Sequence, residues 1–116
     1  MGKSEKETTK NYTIRISNNA IQNINDITGF IAYIQHQPLN AIKVGDMIFD
    51  TIDKIELNPL IFQICEEIPT KTNIYRRAIC SSWTIIFKVK GSQILILGII
   101  HSSRKPSKIR MLKKVK

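Results

Sequence analysis

An α+β fold, with a helical hairpin laid over one face of a mostly antiparallel sheet, follows from three observations. Residues Asn18 to Gln35 and Pro38 to Leu57 carry apolar side chains at three- and four-residue steps. After Lys71 the spacing changes to strand-like alternation in three segments. A short alternating segment, Tyr12 to Ile16, precedes both. Helices gathered before a run of strands fit a layered α+β architecture rather than a repeating strand–helix one.

Each element has a local justification. "YTIRI" is short and β-prone, and Ser17 and Asn18 after it are good helix N-caps. Ile21, Ile24, Ile27, Ile31 and Ile34 then form one stripe of an amphipathic helix. "HQP" at His36 to Pro38 makes a tight link, with Pro38 suited to a first helical turn. Ala41, Val44, Ile48, Ile52 and Ile55 supply the second stripe, and Asn58-Pro59 ends it. Gly29 and Gly45 are equidistant from Gln37, so an antiparallel hairpin sets them at one height, where missing Cβ atoms would permit close helix approach. After a linker from Leu60 to Lys71, a three-stranded meander is expected over Ile74 to Cys80, Trp83 to Val89 and Ile94 to Ile100, with Gly91-Ser92 as a hairpin turn. That turn pairs Val89 with Ile94 and Phe87 with Ile96. Unbroken alternation from there sends Trp83, Ile85, Phe87, Gly98 and Ile100 to the helices, and Tyr75, Arg77, Lys88, Lys90, Leu95, Leu97, Ile99 and His101 to the second face. An apolar strand on a face that no helix covers calls for a cover, either the tail residues Ile109, Met111 and Leu112 or a second polypeptide.

The 116 residues suit one domain, divided as a flexible polar extension over 1–11, a folded domain over 12–106 and a basic tail over 107–116. No uncharged apolar run reaches the length of a membrane span, and "MGKSEKETTK" lacks an apolar h-region, so no secretory signal and a cytoplasmic location are expected. Cys65 and Cys80 form no metal-ligand spacing and read as buried free thiols, so neither a metal nor another cofactor is expected. Charge is sharply divided. Met1 to Ile68 holds nine acids against six bases, whereas Pro69 to Lys116 holds twelve bases and no acid, giving the chain its net +9. Such segregation points to an anionic partner, with a solvated basic surface as the alternative.

The order of strand, helical hairpin, meander and basic tail, together with "YRRAICSSWTIIFKVKGSQILILGIIHSSRKP", resembles the RelE/ParE superfamily of type II toxins. The resemblance spans Tyr12 to Pro106 and rests on Arg76 and Arg77, the strand opened by Trp83, and the last apolar strand with His101 and Arg104. It implies a toxin of a plasmid-stabilising module, neutralised by a cognate antitoxin that contacts apolar Leu95, Leu97 and Ile99. It also implies target or partner contacts through Arg76, Arg77, Lys88, Lys90, His101 and Arg104, and operator DNA binding only through the toxin–antitoxin complex. RelE-like relatives cleave mRNA on the ribosome, with an arginine after the aromatic that opens the middle strand and often a C-terminal tyrosine. Thr84 occupies the first position and no tyrosine follows Tyr75. These departures favour the ParE-like branch, whose members inhibit DNA gyrase. The alternatives are an endoribonuclease in which His101 moves protons, and an inactive relative that binds antitoxin alone.

Overall fold

The computed structural model describes residues 11–116, so the polar extension, apart from Asn11, lies outside the described residues. Strand β1 (Thr13–Ile16) leads into helix α1 (Asn18–Gly29), which continues as a π-helical turn over Phe30–Ile34. Helix α2 (Pro38–Leu57) returns antiparallel, and a 3₁₀ turn at Pro59–Ile61 precedes a two-residue strand β2 (Gln63–Ile64). The meander follows as β3 (Tyr75–Cys80), β4 (Trp83–Lys90) and β5 (Gln93–His101), and the chain closes with helix α3 (Pro106–Met111) and a 3₁₀ turn at Leu112–Lys114. The sheet order is β1-β5-β4-β3-β2, with only the β1–β5 pair parallel. The expected α+β architecture is therefore present, and β2 is an addition drawn from the linker.

Ser17 caps α1 by accepting the Ala20 N–H at 3.0 Å. Ala20, Ile24, Ile27 and Ile31 face the sheet, as do all five members of the expected α2 stripe. Ile21 and Ile34 are corrections to the α1 stripe. Ala20 takes the buried position beside Ile21, and the wider π turn rotates Ile34 outward, where it is 65% exposed. The glycine pairing is also corrected, because a Cβ built at Gly29 meets nothing and one at Gly45 meets only Thr28 Cγ2 at an ordinary 3.5 Å. No close helix approach requires either glycine.

The hairpin turn does demand an unusual backbone. His36 leaves the π turn with φ 57°, while the Gln37 N–H reaches back to the Ile31 carbonyl at 3.0 Å. Left-handed geometry costs a residue with a Cβ about 1–2 kcal/mol, which glycine avoids at some entropic cost. His36→Gly is accordingly expected to stabilise the fold by about 1 kcal/mol, read as a higher midpoint in a urea melt.

The main core lies between the hairpin and the sheet face bearing Ala78, Ile85, Phe87, Ile94 and Ile96. The expected pairs Val89–Ile94 and Phe87–Ile96 are formed, and Gly91 turns with φ 61°. Beyond them the expected alternation breaks. Ile86 pairs with Gly98 and the adjacent Phe87 with Ile96, so Leu97 is the extra residue of a β-bulge. The bulge reverses the facing of everything after it. Ile99 and His101 pair with Ile85 and Trp83 on the hairpin side, and Gly98 and Ile100 pair with Ile86 and Thr84 on the other. This corrects the placement of all four residues.

The bulge is held from α1. Where β1 ends, helix side chains take over the open edge of β5. Ser17 Oγ and Asn19 Nδ2 donate to the Leu97 carbonyl at 3.1 and 2.9 Å, and Asn23 Oδ1 accepts the Ile99 N–H at 3.0 Å. Backbone groups left unpaired by the bulge are thus satisfied, as buried groups must be.

Candidate interaction surface

The second sheet face is covered by this chain over its middle and toward the tail. Cys65 and Ile68 from the linker and Ile109 and Leu112 from the tail bury Tyr75, Ile86 and Leu97 in a separate apolar cluster. The expected open strip of Leu95, Leu97 and Ile99 is corrected accordingly. Leu97 is fully buried, Ile99 lies in the opposite core, and only Leu95 retains partial exposure. Met111, grouped with the covering residues by sequence, points outward.

Arg76 and Arg77 serve different neighbours. Arg76 Nη1 donates to the Phe62 and Leu60 carbonyls at 2.8 and 3.3 Å, tying the linker to β3. Arg77 Nη1 lies 3.5 Å from Glu67 Oε2, the one ion pair formed among the described residues. The other Glu67 oxygen accepts from the Cys65 thiol at 3.6 Å. Burial, followed by the Glu67 charge, pushes the Cys65 thiol up from its ordinary pKa, so it remains a neutral donor in this chain of contacts. Two guanidinium Nε atoms, of Arg76 and Arg77, are buried without a partner, a cost that the bonds made by their other nitrogens offset.

Lys88 and Lys90 meet a cation that sequence reading did not single out. The β1–β5–β4 register puts Arg15 level with Leu95 and Lys88, and Thr13 level with Gln93 and Lys90. These side chains line a depression of about 410 Å³ that no acid enters. None of the three cations has an ion pair among the described residues. Gathering like charges raises their mutual repulsion, and an arriving anion relieves it. Arg15 could have been found by extending the strand register to β1, because it shares a face with neither Tyr12 nor Ile14.

His101 and Arg104 form a third locality, on the hairpin side. The His101 ring meets Trp83 edge to face with centroids 5.2 Å apart. Its Nδ1 accepts the Ser103 N–H at 3.2 Å and lies 2.7 Å from Ser103 Oγ. A backbone N–H can only donate, so Nδ1 carries the lone pair and the neutral ring holds its proton on Nε2. Thr84, at the position where an arginine would serve a nuclease, is buried on the second face, with Oγ1 2.9 Å from Ser102 Oγ. The sequence-derived candidates thus divide into a structural arginine, a linker-bound arginine, a lysine pair joined by Arg15, and a His–Arg corner. They do not converge on one point.

Among the described residues, no cluster of three metal-ligating side chains occurs and no helix is long and apolar enough to cross a membrane. No curated protein matches the chain. A solved structure described as the chromosomal ParDE toxin–antitoxin system from P. aeruginosa shares the fold, with a TM-score of 0.61 and 18% identity over 78% of this chain and 96% of that one. The family model described as the ParE toxin of the type II toxin-antitoxin system parDE matches residues 14–106. With the model spanning the strand, the hairpin and the whole meander, the chain belongs to the ParE toxin family of type II toxin–antitoxin systems, in the RelE/ParE superfamily.

Proposed function

We propose that this toxin inhibits DNA gyrase by protein contact, without nuclease chemistry, and that a cognate antitoxin neutralises it. The observation that carries this reading is the dispersal of the parts a ribonuclease needs. Cleavage through a ribose 2′-OH requires cations and a proton carrier around one phosphate. Here Thr84 is buried and uncharged, Arg77 is tied to Glu67, and His101 lies on the opposite sheet face and presents an N–H rather than a lone pair. Arg15, Lys88 and Lys90 remain available to an acidic surface of the target.

The antitoxin reading needs apolar surface. With Leu97 enclosed, open apolar area is offered by the outer groove of the hairpin, where Tyr33, Ile42 and Phe49 flank the hollow at Gly29 and Gly45. Tyr33 is 78% exposed. An antitoxin segment that folds on binding would bury this area, and an acidic portion would reach the cations of β1 and β4.

The test pairs two assays on the purified toxin. Gyrase supercoiling should be inhibited, with a Lys88→Glu/Lys90→Glu variant at least about tenfold weaker, a change worth about 1.4 kcal/mol. Ribosome-programmed mRNA should remain intact. Cutting abolished by His101→Ala would overturn the proposal and establish the endoribonuclease reading.

A further inference from the structure

The corner that holds His101 and Arg104 has the makings of a ligand site in its own right. Two adjoining hollows, of about 380 and 570 Å³, share Asp26, Ile27, Trp83, His101 and Arg104 as lining. They meet at these five residues as one cleft, its smaller part running between α1, the end of β5 and the tail, where Lys108 adds a second cation, and its larger part between the hairpin and the β3–β4 turn. The larger hollow adds the amide side chains of Gln35 and Asn40. Its size falls in the range usual for small-molecule sites.

The bulge at Leu97 creates this cleft by swinging His101 to the hairpin side beside Trp83. Trp83 is only half-buried and offers aromatic surface to the cleft. His101, with Nδ1 committed to Ser103, keeps Nε2–H as a donor. Arg104 is fixed by its backbone N–H, 2.9 Å from the His101 carbonyl, while its guanidinium has no ion pair among the described residues. Asp26 uses Oδ1 to accept from Gln22 at 2.8 Å, which leaves its second oxygen. Although Asp26 and Arg104 line the same cleft, they form no ion pair. A ligand that satisfies both must therefore carry an anion and, some distance away, hydrogen-bond donors.

We propose that this cleft binds a nucleoside monophosphate, with Arg104 and His101 Nε2–H on the phosphate, Asp26 on a sugar or base donor, and Trp83 against the base. Arginine suits phosphate through charge-assisted, forked hydrogen bonds, and an indole face stacks on any base. An acidic peptide fits less well, because Asp26 would repel it. The proposal is independent of the gyrase reading, since the Lys88 and Lys90 cluster lies on the other sheet face.

The chain has one tryptophan, and it lines this cleft, so intrinsic emission reports occupancy directly. The titration uses adenosine 5′-monophosphate, with inorganic phosphate, adenosine and a hexaglutamate peptide as separate arms. Saturable quenching of Trp83 by the nucleotide is expected, with phosphate, adenosine and peptide each at least about tenfold weaker. Arg104→Ala and, separately, Asp26→Asn should each weaken the nucleotide by about tenfold or more while circular dichroism shows an intact fold. Absence of saturable quenching at millimolar nucleotide, equal binding of any control ligand, or unchanged affinity in both folded variants would overturn the proposal.

Discussion

Leu97→Lys is expected to unfold the protein, not merely to alter its surface. The side chain has no exposed area and lies under Ile109 and Leu112, with Ile86 and Tyr75 beside it. Losing a buried leucine costs about 2–5 kcal/mol, and an ammonium group in its place adds several more unless it is discharged or escapes to water. The sum approaches the whole stability of a small domain, about 5–15 kcal/mol. Loss of a cooperative thermal transition by circular dichroism is the expected result. Leu95→Lys is the control, because Leu95 is only partly buried and borders the open cationic depression. Its transition should persist. A folded Leu97→Lys variant with an ordinary melt would mean that α3 does not seal this face in solution.

Gly98→Val should be nearly as damaging, and for a reason that isolates the junction between α1, β5 and the tail. A Cβ at Gly98 would lie 2.9 Å from Leu112 Cδ2, 3.0 Å from Asn23 Oδ1 and 3.1 Å from Asn19 Nδ2. Leu112 can yield at its flexible end. The two asparagines cannot yield freely, because they hold the Leu97 carbonyl and the Ile99 N–H. Breaking either bond leaves a backbone group short of a partner at about 1–3 kcal/mol, on top of the strain of overpacking, about 1–3 kcal/mol more. A total near 3–5 kcal/mol is expected for valine and less for alanine. A double-mutant cycle with Leu112→Ala checks the mechanism, since removing the Leu112 methyl groups should recover part of the Gly98→Ala loss. Strict additivity would show that the tail does not meet Gly98.

Much of the fold was legible in the residues. Stripe periodicity located both long helices, and the Gly91-Ser92 turn fixed the β4–β5 pairing through Phe87 and Ile96. Lysines 88 and 90 were placed on the correct face, as were Tyr75 and Arg77. The error began at one residue. Gly98 inside an apolar strand is a signal for a bulge, and the bulge sets Ile99, Gly98, Ile100 and His101 on the sides opposite to those that unbroken alternation expects. Local alternation gives the facing of Arg15, but bringing it level with Lys88 takes the parallel β1–β5 pairing, which joins segments far apart in the chain.

By itself the sequence determined the helical hairpin, the meander, the division of charge and the family, since these rest on short-range periodicity, turn chemistry and a motif order carried along the chain. Only the tertiary structure decided what each face of the sheet does. Ser17, Asn19 and Asn23 hold the bulge that sends His101 to Trp83, and the linker and α3 cover the middle of the face that strand alternation alone left open. The physical reason is that a bulge shifts a two-residue period by one. Whether it forms depends on distant donors and acceptors that meet the displaced backbone, and these become neighbours only when the chain has folded.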